Sequence, residues 1–246
     1  MMVKKKQTKC NVNLPTVSIC TPTGNRESLF KNIIMCVEEQ DYPKDLIQWV
    51  IVDDGDIPIK HYIDHLDYVT YIHLKDKISI GKKRNITHTH CTGDIIVYMD
   101  DDDYYPPKRV SNAVHVLNRY KRSGVMIAGS SILHIYDTAT DDIYEFGPYG
   151  KNHSTAGAFA FMKELLRYTA YDDEALYGEE RFFLKNYSIP MIQLDPIKTI
   201  LCMSHNSNTY DKRPMFINKS PTKLKLNNFK SKKSKWDISL FAKDKK

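Results

Sequence analysis

The densest chemistry in this chain is a run of four aspartates at residues 100–103, directly after the apolar stretch DIIVYM at residues 94–99. Two carboxylates ~5 Å apart at an effective dielectric of ~20 repel by about 3 kcal/mol. Crowding several of them raises their pKa values unless a cation compensates. All-oxygen donors suit Mg²⁺ or Mn²⁺, and magnesium commonly combines one or two protein carboxylates with substrate phosphates. The run therefore suggests a divalent ion shared with a diphosphate. The competing reading is a solvated acidic turn, and the position at the end of a buried strand favours the ion.

Other polar clusters close other apolar runs. TVSICT at residues 16–21 runs into Pro22, Thr23, Gly24, Asn25 and Arg26, and QWVIV at residues 48–52 into Asp53, Asp54, Gly55 and Asp56. In an open α/β sheet, ligands bind beyond the carboxyl ends of the strands. Between these runs the apolar spacing predicts helices at residues 27–39, 80–91 and 107–122, a further strand at 69–74 and a weak helical turn at 61–66. Strand and helix alternate over the first 120 residues, which predicts a parallel α/β sheet. After Gly124 the pattern changes. Strands are expected at 125–128, 130–136 and 143–146, antiparallel to one another. A strand at 158–162, helices at 163–168 and 179–187, and late strands at 191–194 and 199–203 follow.

Composition sets the frame. The chain has 246 residues, 41% hydrophobic and 11% aromatic, enough for one globular domain. No apolar stretch approaches the ~20 residues of a membrane span, and no secretory signal is apparent, so a cytosolic location is expected. The net charge of +6 is uneven: residues 219–246 carry +8, residues 1–9 carry +4, and the body between them is acidic. The organisation expected is a basic arm (1–14), a nucleotide-sugar half (15–125), an acceptor half of the same domain (126–218) and a basic tail (219–246). The tail reads as a solvated segment that could contact anionic surfaces, although Trp236, Ile238, Leu240 and Phe241 could dock it on the body. Five cysteines without a Cys-x-x-Cys pair suit neither a disulfide framework nor a zinc knuckle. Gly-x-Gly-x-x-Gly and P-loop patterns are absent, so dinucleotide and P-loop chemistry are unsupported.

Six motifs in order then carry a resemblance: VSICTPTGNR (17–26), VIVDD (50–54), GKKRN (81–85), GDIIVYMDDDDYYP (93–106), GEERFF (178–183) and SHNSNT (204–209). The sequence resembles the family 2 glycosyltransferases, whose fold is the GT-A type, a mixed Rossmann-like sheet with helices on both faces. The resemblance implies a metal-dependent transfer of sugar from a nucleoside diphosphate sugar, most commonly a UDP-sugar, to a hydroxyl of a glycan, protein or lipid-linked acceptor, with inversion. It implies that Asp53, with Asp54, meets the nucleotide base. Pro22, Thr23 and Arg26 would line that pocket, and Lys83 and Arg84 would approach the nucleotide. Asp100 and Asp102 match the family's Asp-x-Asp element, with Asp102 as direct metal ligand and Asp100 nearer the ribose. Asp101 stands where the family often has a small residue, so the metal or donor could be shared with it. Glu180 would be the general base, with Glu179 as the alternative, and His205 would complete the site for Mn²⁺ or Mg²⁺. Gly157 and Gly178 would allow close backbone approach on the acceptor side.

Two other readings stay open on sequence alone: a nucleotidyltransferase acting on a sugar phosphate, and a non-catalytic nucleotide-sugar-binding protein of the same fold. Tyr104, Tyr105, Tyr144 and Tyr149 are candidates for an acceptor groove or for core. Lys212 and Arg213 could meet a diphosphate or be solvated.

Overall fold

The computed structural model describes residues 14–206, 208 and 210–242. In chain order the elements are β1 (Val17–Thr23), α1 (Glu27–Glu38), β2 (Ile47–Asp53), β3 (Val69–His73), α2 (Ile80–Thr89), β4 (Ile95–Tyr98), α3 (Arg109–Tyr120), β5 (Ile127–Gly129), β6 (Leu133–Asp137), β7 (Asp142–Phe146), β8 (Ala160–Met162), α4 (Glu180–Phe183), β9 (Met191–Gln193), β10 (Cys202–Ser204), α5 (Leu226–Phe229) and α6 (Ser239–Ala242). A seven-stranded sheet has the order β3-β2-β1-β4-β8-β5-β9, and a three-stranded sheet the order β10-β6-β7.

The first four strands are parallel, as their alternation with helices requires. Their side chains alternate between two cores. Ile19, Trp49, Ile51, Ile95 and Val97 face the side covered by Leu29, Phe30 and Ile33 of α1 and by Val110, Val114 and Leu117 of α3. Cys20, Val50, Ile96 and Tyr98 face the opposite side, against Phe161, Tyr171 and Phe183. On that second side α2 buries a polar face: Lys83, Arg84, Thr87 and His88. Burying charge is unfavourable unless it is paired, so α2 must find its partners at the strand ends.

Register delivers those partners. Thr23 of β1 lies opposite Asp53 of β2, and Cys20 lies opposite Tyr98 of β4. Carrying the second register onward puts Asp101 level with Thr23, whose Oγ1 donates to Asp101 Oδ2 at 2.6 Å.

The later half departs from the expected run of antiparallel strands. Only β6 and β7 form such a hairpin among the three; β5 leaves them to join the main sheet, antiparallel to β8 and parallel to β9. Its Ile127 and Ala128 are fully buried, as suits a strand covered on both faces. The helix expected at 163–168 is 3₁₀, over Lys163–Arg167. The weak helical turn near 61–66 is a 3₁₀ turn at Lys60–Tyr62. The helix expected at 179–187 is one turn, because Lys185, Asn186 and Tyr187 take positive φ of 49°, 54° and 60°, a region that stops a helix.

The basic tail docks. Phe229, Trp236 and Phe241 are buried, and the Trp236 ring packs edge-on against Tyr104 at 5.0 Å. Asn32 of α1 exchanges two hydrogen bonds with the backbone of Asp237, at 2.8 and 2.9 Å. The lysines at 219, 223, 225, 232, 233 and 235 remain exposed. Cys20, Cys36, Cys91 and Cys202 are free and buried; Cys10 lies outside the described residues, as do the lysines of residues 1–9. Among the described residues no helix is long and apolar enough to cross a membrane.

Candidate active site

A cleft of about 680 Å³ opens at the carboxyl ends of β1, β2 and β4. Its walls bring together Pro22, Thr23 and Arg26 after β1, Asp54 after β2, Lys83 and Arg84 from α2, all four aspartates of residues 100–103, and Glu179 and Glu180 before and in α4. Two of the residues expected at the site lie behind the walls. Asp53 has no exposure and both its oxygens are engaged: Oδ1 accepts from the Gly55 N–H at 2.8 Å, and Oδ2 accepts from Tyr71 OH at 2.7 Å and the Ile59 N–H at 3.2 Å. It shapes the loop that presents Asp54. His205 sits behind Asp102, with Nε2 at 3.7 Å from Asp102 Oδ2.

The acidic run is divided among distinct partners. Asp100 is gripped by Arg84, Nη1 to Oδ1 and Nη2 to Oδ2, both at 3.0 Å. The same guanidinium donates from Nε to Glu179 Oε1 at 2.8 Å and lies over the Tyr98 ring at 4.5 Å. Burial opposes its charge, but Asp100 and Glu179 outweigh that and hold its pKa well above the usual value. Arg26 meets the other end of the run: Nη1 lies 2.9 Å from Asp101 Oδ1 and 2.5 Å from Asp102 Oδ2. Burial alone would raise the pKa of Asp102; Arg26, with His205 and Lys212, reverses this and keeps it well below the carboxylate range. Burial, joined by the Asp102 charge, pushes Asp103 up to about 7, and its Oδ1 accepts from the Met203 N–H at 2.8 Å. Asp101 is also raised by burial, with Arg26 and Thr23 opposing.

Glu179 and Glu180 differ in environment. Glu179 is buried in the Arg84 pair. Glu180 is partly exposed on the cleft wall, and burial followed by the Glu179 charge raises its pKa above the ordinary glutamate value. On the facing wall, Gly157 approaches Asp100 so closely that an added Cβ would lie 2.8 Å from Asp100 Oδ2. Tyr105 OH accepts from the Asp100 N–H at 2.7 Å and donates to Gly157 O at 3.3 Å. Gly178 takes φ +64° with open space around it, so its conformation calls for glycine there, not a close approach.

Whether Mn²⁺ or Mg²⁺ suits this site can be judged from its donors. Asn208 Oδ1 accepts from the His205 N–H at 2.8 Å, which orients its amide so that Nδ2 donates to His205 Nε2 at 2.8 Å and to Asp102 Oδ2 at 3.2 Å. The buried Nδ1 of His205 has no hydrogen-bond partner among the described residues. A carboxylate and an imidazole converge, leaving further ligands to phosphate oxygens, and this donor set fits a divalent ion. Among the described residues no group of three His, Cys, Asp or Glu side chains could hold a metal by itself.

Several participants carried no clear signal in the sequence. Asn208 lies inside the SHNSNT motif, but its amide acts only because the loop folds back on Asp102. Lys212 lines the cleft and donates to Met203 O at 2.7 Å, whereas Arg213 pairs with Asp211 away from it. Tyr104 and Tyr105 are core, Tyr144 packs on Phe216, and Tyr149 is half exposed beside His153.

Comparison with known proteins agrees with this architecture. The model of glycosyl transferase family 2 matches residues 18–146, a stretch that ends before Glu179. A putative colanic acid biosynthesis glycosyl transferase, WcaA of Escherichia coli, is 34% identical over 104 residues, covering 40% of this chain and 37% of that protein. An uncharacterized glycosyltransferase of Rickettsia felis is 26% identical over 132 residues, covering 52% of this chain and 21% of that protein. The chain thus spans well under half the length of these relatives. Among solved structures, the Pyrobaculum calidifontis mannosyltransferase PcManGT, in complex with GDP-Man and Mn²⁺, superposes with a TM-score of 0.62 at 18% identity, covering 80% of this chain and 59% of that one. Staphylococcus aureus TarS 1-349 superposes with a TM-score of 0.59 at 18% identity, covering 77% and 60%. The fold is the GT-A arrangement of these neighbours, and with more than half its length matched by the family model the chain belongs to glycosyl transferase family 2.

Proposed function

We propose that this glycosyltransferase moves a sugar from a nucleoside diphosphate sugar, a UDP-sugar foremost, to an acceptor hydroxyl with inversion at the anomeric carbon. The observation that carries this reading is the convergence, in one cleft at the strand ends, of the acidic run, the cations Arg26, Lys83 and Lys212, and the acid Glu180, which has no ion-pair partner among the described residues. The neighbours support the donor class: PcManGT is solved with GDP-Man and Mn²⁺, and TarS with UDP-GlcNAc.

Asp54 is the cleft-facing acid of the nucleotide end. Its Oδ1 pairs with Lys83 Nζ at 2.5 Å, and its Oδ2 accepts from the Ile78 N–H at 3.0 Å. Asp102 and His205 would hold Mn²⁺ or Mg²⁺, which supplies neutralisation of the departing diphosphate. Glu180 takes the proton of the acceptor hydroxyl as its oxygen bonds to the anomeric carbon, and the bond from that carbon to the diphosphate oxygen breaks. Glu179 is spoken for by Arg84, which is why Glu180 is the base. The acceptor enters from the second cleft, of about 880 Å³, which shares Leu176, Tyr177 and Glu179 with the first and exposes Tyr168, Tyr177 and Phe182. These exposed rings suit stacking on a sugar face.

The test is nucleotide release from UDP-GlcNAc, UDP-glucose and GDP-mannose with Mn²⁺, using glycoside acceptors. Turnover of one donor that is lost in Glu180→Gln, with donor binding kept, is the expected result. Full turnover in that variant would overturn the assignment of the base.

A further inference from the structure

The docked tail reaches the back of the acidic run along a line of packed rings. Trp236 packs on Tyr104, the residue that follows the four aspartates, with ring centroids 5.0 Å apart. Phe241 packs on Trp236 at 5.6 Å and on the imidazole of His205 at 5.2 Å, tilted by 57°. These separations are those of favourable aromatic pairs. Trp236 and Phe241 are buried, and the His205 side chain has no exposure. The tail is pinned beside these rings. Asn32 of α1 holds the backbone of Asp237 by hydrogen bonds of 2.8 and 2.9 Å. The Lys235 N–H donates to Glu39 Oε1 at 2.8 Å, and Lys230 Nζ donates to Trp236 O.

The two partners of the proposed ion arrive on different segments. Asp102 lies in the loop after β4, and His205 directly follows β10. Tyr104 and Leu201 exchange backbone hydrogen bonds of 3.0 and 2.9 Å, which tie the two segments together. Backbone ties leave an imidazole free to turn about its own side-chain bonds unless its faces are packed. Phe241 packs that ring from the tail side.

We propose that Phe241 is a positioning residue for the metal site: its ring fixes the His205 imidazole in the pose that faces Asp102, so that affinity for a divalent ion depends on docking of the tail. Phe241 acts through His205 and not on the ion. It lies far beyond the stretch matched by the family model, so the support comes from this chain's own tail. This gives the apolar residues of an otherwise basic segment a task at the site. The inference rests on the proposed metal at Asp102 and His205, and its test reads binding, not turnover.

Free Mn²⁺ is counted by electron paramagnetic resonance in titrations of the purified full chain with saturating UDP. Phe241→Ala is expected to weaken Mn²⁺ binding about tenfold, the loss typical of removing a group that orients a metal ligand. Phe241→Leu, which refills most of the space, should recover most of that affinity. Phe229 is a buried ring of the same tail that packs instead on His134, at 5.4 Å. Phe229→Ala should keep the wild-type Mn²⁺ affinity; a loss equal to that of Phe241→Ala would be general loosening and would overturn the proposal. Nuclear Overhauser contacts in wild type give a reading that needs no alanine variant to fold, with His205→Asn identifying the His205 ring signals. The contact between the His205 and Phe241 rings must persist with Mg²⁺ and UDP bound, and its loss in that complex contradicts the proposal. Wild type that binds no Mn²⁺ even with UDP overturns the metal reading itself. Wild-type Mn²⁺ affinity in Phe241→Ala overturns this inference alone.

Discussion

Two arginines serve the same acidic run in different ways. Arg84 is almost wholly buried, forks onto Asp100, reaches Glu179 with its third nitrogen and stacks on Tyr98. Arg26 reaches Asp101 and Asp102, and its side chain and that of Asp102 keep 18% and 14% of their surface in contact with solvent. Forked, desolvated pairing is hard to undo, whereas a pair at the cleft wall stays partly in water. The molecule thus has a fixed end, which joins Asp100 to the acid pair before α4, and a more solvated end at the cleft wall.

The largest effect should come from the acid that the fixed end leaves unpaired. Glu180→Gln should lower kcat about 10²–10⁴-fold in steady-state assays, as loss of a general base does, with donor affinity unchanged. The base works deprotonated, and burial with the Glu179 charge raises its pKa, so activity should fall on acidification at a pH above the ordinary glutamate range. Glu179→Gln removes the neighbouring charge and should move that acid limb to lower pH.

Breaking the fixed end itself should be costly in stability. Arg84→Met leaves Asp100 and Glu179 facing each other without their cation and should lose about 3–5 kcal/mol in urea unfolding. Arg84→Lys should not restore it, because an ammonium cannot fork onto Asp100 and reach Glu179 together.

Beneath the fixed end lies His88, whose Nε2 hydrogen-bonds Tyr98 OH at 2.7 Å. Burial, assisted by the Arg84 charge, lowers its pKa to about 3. The folded state then binds fewer protons than the unfolded state once pH drops below the free histidine value of ~6.5. Stability contributed by neutral His88 is present above that pH and is lost on acidification, by about 2 kcal/mol between pH 6.5 and 5. His88→Phe/Tyr98→Phe, which removes both polar partners, should flatten that part of the stability–pH curve.

The more solvated end should be the more forgiving. Without metal, Arg26→Gln should lose about 1.5 kcal/mol in the same unfolding assay, no more than half the Arg84→Met loss. Equal losses for the two arginines would erase the distinction between the ends.

The sequence disclosed the parallel half well and the later half poorly, for physical reasons. In β1, β2 and β4 successive side chains enter two cores, and the polar residues that follow must lie at strand ends, so the acidic run, Arg26 and Asp54 were legible as cleft residues. Strands β5, β8, β9 and β10 have three residues each, too few to carry a period, and their partners come from distant parts of the chain. The positive φ run at Lys185, Asn186 and Tyr187 contains one residue type that favours it and two that do not, so the single-turn α4 had no signature. The buried face of α2 is polar, which apolar spacing cannot reveal. Asp53 was expected to lead at the nucleotide end with Asp54 beside it, yet the loop after β2 turns Asp53 inward and Asp54 to the cleft. Charge count alone suggested a solvated tail; Trp236, Ile238, Leu240 and Phe241 hinted that it docks, and in the structure it covers Tyr104 and, through the ring of His205 at 5.2 Å from Phe241, supports the far side of the acidic run.

The most direct test is a crystal of the wild-type protein soaked with Mn²⁺ and UDP-GlcNAc or UDP, measured at a wavelength where manganese scatters anomalously. A peak bonded to Asp102, with diphosphate density in the cleft between Lys83 and Lys212, is the predicted result. Nucleotide bound there with no peak at Asp102, or a peak at another site, would contradict the account.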